Sequence, residues 1–192
     1  EAKDAISGEA TGVTATDLYD GDVYENIAAK VIKNKTYLFD GNGHMLTGVL
    51  KLEGDAYRSG GSDLEDGGIY YFSEEDGSEN GQMLTGKQTY DNEGEDETYY
   101  FKKNGQAYTN ALVSGAIYDS EGKRVDAEDG AAYMLYTTEA DITDDDGTTV
   151  LIPEGTQVIV NRSGSVKKNG SAEVDGVDYD IDNYVATEDI DE

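Results

Sequence analysis

The chain has 192 residues, of which 42 are acidic and 14 basic, giving a formal charge of −28 at pH 7. That balance excludes nucleic acid and anionic membrane surfaces as partners, because both require a basic footprint. Cysteine is absent, which removes disulfides and thiol chemistry, and no apolar run reaches the length of a transmembrane helix.

Beginning on Glu1 rather than Met, the chain reads as a processed piece of a longer product. Residues 1–30 read as a lead-in. Within it the spacing of Val23, Ile27, Ala28 and Val31 predicts one short helix over Asp22 to Lys33. Helix signals are otherwise weak, Gly is frequent and Pro153 is the only proline, so the fold class expected is all-β.

Residues 31–125 carry a repeated unit. Tyr37-Leu38-Phe39, Tyr70-Tyr71-Phe72 and Tyr99-Tyr100-Phe101 hold all three phenylalanines. Asn42-Gly43, Asn80-Gly81 and Asn104-Gly105 follow them, then Met45, Met83 or Ala107, then Thr47, Thr85 or Thr109. Period-two alternation makes each Tyr-x-Phe a strand, and Asn-Gly supplies the positive φ angles of a tight hairpin turn. A lone hairpin is marginal in water, so the expected architecture is an irregular solenoid of stacked β-hairpins sharing an apolar seam. Tyr37, Phe39, Met45, Tyr70, Phe72, Met83, Tyr99 and Phe101 are the expected seam. The second copy carries an acidic insertion, Ser73 to Glu79, which belongs on an exposed hairpin tip.

Residues 126–192 read as degenerate β repeats with an acidic C-terminal segment. Val158 to Val166, like Ile117 to Gly122 just before this segment, keeps the strand–turn–strand order with aliphatic residues in place of aromatics. From Glu173 onward there are many carboxylates and no Lys or Arg, the composition of a solvated tail. Val177, Tyr179, Ile181 and Val185 are nevertheless spaced for a last edge strand.

The segment Tyr37 to Gly48, with Tyr70 to Gly86 and Tyr99 to Asn110, resembles the cell-wall-binding, choline-binding-type repeat of Gram-positive surface proteins. It is similar to the related glucan-binding and clostridial-toxin repeats. The resemblance implies an extracellular or cell-surface module of β-hairpins that fastens proteins to wall or polysaccharide, beside a catalytic or effector domain. Trp commonly precedes the Tyr-x-Phe and follows the Thr-Gly in that family. Here those positions hold Thr36, Ile69 and Thr98, and Val49, Lys87 and Ala111, and the chain has no Trp. Since a quaternary ammonium is held by several π faces together, choline is disfavoured as a ligand and cell-wall polysaccharide or another glycan is expected.

Tyr71 and Tyr100, on the strand face opposite the seam, and Tyr57, Tyr90 and Tyr108 in adjoining segments are the candidate sugar-stacking residues, because tyrosine offers a flat apolar face and a hydroxyl. The competing reading is a structural spacer or protein-interaction arm. Acidic runs make calcium a candidate cofactor. Asp76 opens an EF-hand-like loop whose twelfth position is Lys87, and Asp141, Asp144 and Asp146 form a second acidic patch; a charged turn explains either. With one turn-borne His44 and no carboxylate pair singled out, the chain reads as non-enzymatic.

Overall fold

A computed structural model describes residues 12–128 and 130–189. All regular elements among them are β-strands. The chain forms two compact units, one of Glu1–Asp96 with Tyr100–Ala107 and one of Glu97–Tyr99 with Tyr108–Glu192.

The first unit begins with β1 (Thr14–Asp17), β2 (Val23–Glu25), β3 (Ala28–Ile32), β4 (Lys35–Phe39) and β5 (Met45–Leu46). It continues with β6 (Gly48–Glu53), β7 (Arg58–Ser59), β8 (Ile69–Phe72), β9 (Gly86–Asn92) and β10 (Glu95–Phe101), whose middle residues count with the second unit. Two four-stranded sheets, β2-β1-β6-β8 and β5-β4-β3-β7, enclose a core of Ile27, Ala29, Leu38, Leu46, Leu50, Leu52, Tyr70 and Phe72. Strand β9 pairs with β10.

The expected helix over Asp22 to Lys33 is replaced by β2 and β3. Asn26 between them has φ 57°, which no α-helix contains, and β3 finds a five-residue antiparallel partner in β4. Tertiary pairing here overrides a weak helical period.

The second unit holds β11 (Ala111–Val113), β12 (Ala116–Tyr118), β13 (Tyr133–Thr137), β14 (Ile142–Thr143), β15 (Val150–Ile152), β16 (Gln157–Asn161), β17 (Gly170–Val174), β18 (Val177–Asp182) and β19 (Val185–Glu188). They form sheets β12-β11-β14-β15, β13-β16 and β17-β18-β19. The acidic segment is therefore paired strand and not a tail as far as Asp189. Its alternation buries Ala172, Val174, Ile181 and Ala186 against Ile159 and turns the aspartates outward.

Five hairpins share one turn. The residue after each Phe-equivalent position is Asp40, Ser73, Lys102, Asp119 or Asn161. Its amide donates to the carbonyl of His44, Gln82, Gln106, Lys123 or Ser165, and its own carbonyl accepts from the amide of Gly43, Gly81, Gly105, Gly122 or Gly164. These glycines have φ between 71° and 92°, whereas Asn42, Asn80 and Asn104 have no positive φ. The connection in the short copies is thus a type I turn followed by a left-handed Gly bulge, in place of the two-residue turn that Asn-Gly predicts. Side chains complete it: Asp40, Asp119 and Asn161 each accept two further amides, at i+2 and i+4.

Equivalent carbonyls also link one hairpin to the next. In the first unit Thr36 O accepts from Met83 N and Ile69 O from Ala107 N, each at 2.8 Å. In the second, Thr98 O accepts from Arg124 N at 2.8 Å and Gly115 O from Val166 N at 2.9 Å. A Cβ on Gly81 would collide with the Met45 thioether, and one on Gly105 with that of Met83. Each Met thus covers the turn glycine of the following copy.

Burial across the three aromatic copies is not uniform. Tyr70, Phe72, Tyr99 and Phe101 are essentially inaccessible, with Tyr71 and Tyr100 half-buried on the opposite face. In the first copy the faces are exchanged: Leu38 is buried between its partners Ala29 and Leu46, and Tyr37 and Phe39 are half-buried on the other side. A strand's alternation defines two faces without saying which is inner, and here the aliphatic residue wins the core.

Candidate functional site

On the first unit three tyrosines converge. Tyr71 on β8 and Tyr90 on β9 meet edge to face with ring centroids 5.8 Å apart, and Tyr19 stacks on Tyr90 at 4.2 Å with 18° between the planes. Phe101 closes the inner side, 6.2 Å from Tyr71. All three tyrosines are half-buried.

The loop after β1 positions Tyr19. Asp17 is buried, and its Oδ1 accepts the amides of Tyr19 at 2.8 Å and Asp20 at 3.0 Å. Leu18 N donates to Val49 O, tying the loop to β6. Opposite, Gly48 has φ 95°, and a Cβ there would lie 2.6 Å from Asp17 Oδ2. The Thr-Gly that closes the first repeat is therefore needed twice, for its backbone conformation and for the space the Asp17 carboxylate occupies. Tyr71 points to the cluster because Tyr70 and Phe72 point to the core, and Val49 is its β6 partner.

Negative charge surrounds the rings. Burial, followed by the charges of Glu74, Asp17, Asp20 and the neighbouring Tyr71, pushes the Tyr90 phenol up to about 12. Burial, then Glu74 and Glu75, raises Tyr71. Glu74 is itself raised, by burial and then by Asp17 and Asp20. These are aromatic faces set beside carboxylates that accept hydrogen bonds, a combination suited to sugar rings, which present C–H faces and hydroxyl edges.

Of the five candidate tyrosines, the structure brings Tyr71 and Tyr90 together. Tyr57 stands elsewhere, 54% exposed just before β7. Tyr100 is half-buried on β10, and Tyr108 is half-buried in the second unit. Tyr19 is the member that sequence reading missed. It lies outside any repeat, and its only local signal is the acidic Gly-turn from Asp17 to Asp22.

The second acidic patch is occupied by its own turn and strand ends. Asp141 Oδ1 accepts from Glu154 N, and Asp144 and Asp146 accept from Thr148 and Thr149. Although desolvation acts upward, hydrogen bonds donated by Thr149 and Thr148 bring Asp144 down to about 2. Among the described residues no group of three or more His, Cys, Asp or Glu is gathered as for a metal ion.

No protein-family model and no curated protein matches the chain. Solved structures do. Choline binding protein F of Streptococcus pneumoniae, crystallised in the presence of a tetrasaccharide-pentapeptide peptidoglycan analogue, matches at 22% identity and a TM-score of 0.50 over 87% of this chain. The modular autolysin LytC of the same organism, in complex with a synthetic peptidoglycan ligand, matches at 13% identity and a TM-score of 0.39 over 88% of this chain. Truncated alternansucrase of Leuconostoc mesenteroides matches at 21% and 0.34 over 62%. The chain spans 42%, 35% and 8% of those three proteins. With its repeated turn and its aromatic strands, this chain has the fold of the choline-binding-type, cell-wall-binding repeat family of Gram-positive surface proteins.

Proposed function

We propose that this chain is a non-catalytic, extracellular attachment module: an irregular solenoid of hairpins that holds cell-wall glycan or another polysaccharide at shallow aromatic sites. The observation that carries the reading is the half-buried cluster of Tyr19, Tyr71 and Tyr90 beside Asp17, Asp20 and Glu74. The family fold supports it, while the absence of Trp at the repeat positions disfavours choline as the ligand. Each site is weak alone, and repetition along an array raises avidity.

Pull-down on purified cell wall, with a glycan panel, tests this reading. Retention that drops about tenfold in Tyr71→Ala and Tyr90→Ala supports it, since one aromatic platform contributes roughly 1–2 kcal/mol. No retention on either material, with or without calcium, overturns it. A melting temperature unchanged by millimolar calcium removes the cation from the account.

A second reading, a spacer arm without glycan affinity, draws on the close stacking of Tyr19 on Tyr90, which covers one ring face. Under that reading Tyr90→Ala lowers stability and leaves wall retention unchanged.

A further inference from the structure

Asp17 is 7% exposed, yet its two carboxylate oxygens are used unequally. Oδ1 accepts the amides of Tyr19 and Asp20, whereas Oδ2 accepts no hydrogen bond among the described residues. Nor is Oδ2 sealed from solvent: among those residues the enclosed side-chain polar atoms without a partner are Arg58 Nε and Gln82 Oε1. A carboxylate so far buried calls for a donor or a cation, because a desolvated charge without one is costly. Oδ2 faces Gly48 instead, 2.6 Å from where a Cβ would stand, and Glu74 Oε1 lies 3.9 Å from the same point. Gly48 precedes Val49, the β6 partner of Tyr71.

Two carboxylates therefore flank one glycine beside the aromatic cluster. Among the described residues no Lys, Arg or His pairs with either, and the charges that raise Glu74 come from Asp17 and Asp20. The counterion they lack has a definite chemistry. Two carboxylates are too thin a shell for a metal ion, and among the described residues no third acid is gathered with them. A quaternary ammonium has no N–H to donate to Oδ2, and Tyr19 lies flat on Tyr90 at 4.2 Å, which leaves no slot for methyl groups between those rings. A primary ammonium carries three donors, enough for both oxygens, and a sugar ring attached to it has tyrosine faces to lie against.

We infer that Asp17 and Glu74 hold the protonated amine of an amino sugar, so that the Tyr19–Tyr71–Tyr90 cluster takes a glycan with free rather than acetylated amines. This rests on the glycan-attachment reading above and names the substrate class of that site. Acetylation would remove the positive charge and two of the three N–H donors, leaving the carboxylates uncompensated.

The test measures binding of the full chain to a glucosamine disaccharide with free amines, to its N-acetylated counterpart and to a neutral glucose disaccharide, at a pH that keeps the amines protonated. Small ligands are used because a chain of charge −28 attracts any polycation. The free-amine sugar is expected to bind roughly tenfold tighter than the acetylated one. Glu74→Gln should abolish that preference. So should Asp17→Asn, which keeps an Oδ1 acceptor for Tyr19 and Asp20; should it fail to fold, Glu74→Gln decides alone. Asp178→Asn with Asp180→Asn removes two charges from β18 and should leave the preference intact. If that pair abolishes it too, the effect is one of bulk charge and the inference is overturned. Choline or methylamine binding as tightly as the free-amine sugar overturns it as well, since the hydrogen-bonded amine or the sugar ring is then dispensable. Equal binding of all three sugars overturns it and leaves glycan attachment standing. Binding of none overturns it, and no retention on wall or the glycan panel overturns the attachment reading too.

Discussion

The thioether of Met45 fills the space that a side chain on Gly81 would need, while Met83, two residues on, donates its amide to Thr36. Two contacts from neighbouring hairpins thus meet at one turn glycine, and packing and backbone pairing set the same register.

Gly81→Ala should therefore destabilise the fold by about 1–3 kcal/mol, from the left-handed φ of 71° and from displacement of Met45. Gly86→Ala is the control, since its φ is 76° but nothing lies within 4 Å of a Cβ there. It should show the backbone part alone. Denaturant melts of both variants, with Met45→Ala added to Gly81→Ala, measure the contact as a coupling energy.

Raising the pH should expose the Tyr90 environment. The phenol is held at about 12 in the fold against an ordinary 10.0. A folded value above the unfolded one gives stability that is full below pH 10 and is lost as pH rises toward about 12. Tyr90→Phe should flatten that part of the stability curve, and the ultraviolet difference titration of wild type against variant should show one phenol ionising near the top of the range.

Glu74 predicts the opposite kind of substitution. Burial and then the charges of Asp17 and Asp20 raise its carboxyl, so its ionised form weakens the folded state at neutral pH. Glu74→Gln should stabilise slightly at pH 7, solvent screening of this exposed side chain keeping the gain small. The gain should vanish as pH falls below the ordinary value of 4.5, where the unfolded carboxyl is also protonated. High salt should shrink it.

Asp119 separates charge from hydrogen bonding. Its carboxylate accepts the amides of Glu121 and Lys123 at 2.9 Å, and burial outweighs those bonds to raise its pKa. The fifth hairpin performs the same task with Asn161. Asp119→Asn should thus be neutral or stabilising at pH 7, whereas Asp119→Ala should cost about 1–2 kcal/mol by removing both acceptors. Thermal melts of the pair decide it.

Residues close in sequence carried their own signal. The turn glycines, the Tyr-x-Phe strands and the aliphatic echoes at Ile117 and Val158 are hairpins because φ preference and period-two alternation act over a few residues. Those local rules misjudged Asp22 to Lys33, where four apolar positions mimic a helical stripe and β4 supplies a better partner. They also credited Asn42 with a positive φ that only Gly43 adopts.

Pairings across long separations left no such trace. Tyr19 reaches Tyr90 through a loop that Asp17 closes and that no repeat contains. Leu38 displaces Tyr37 and Phe39 from the core because Ala29 and Leu46 flank it. Sequence by itself determined that this chain is a set of β-hairpins without Trp cages or thiols, since composition and local backbone preference are properties of short segments. Tertiary structure alone decided which face of each hairpin is inner and which tyrosines meet, because alternation is symmetric until a neighbouring strand covers one side.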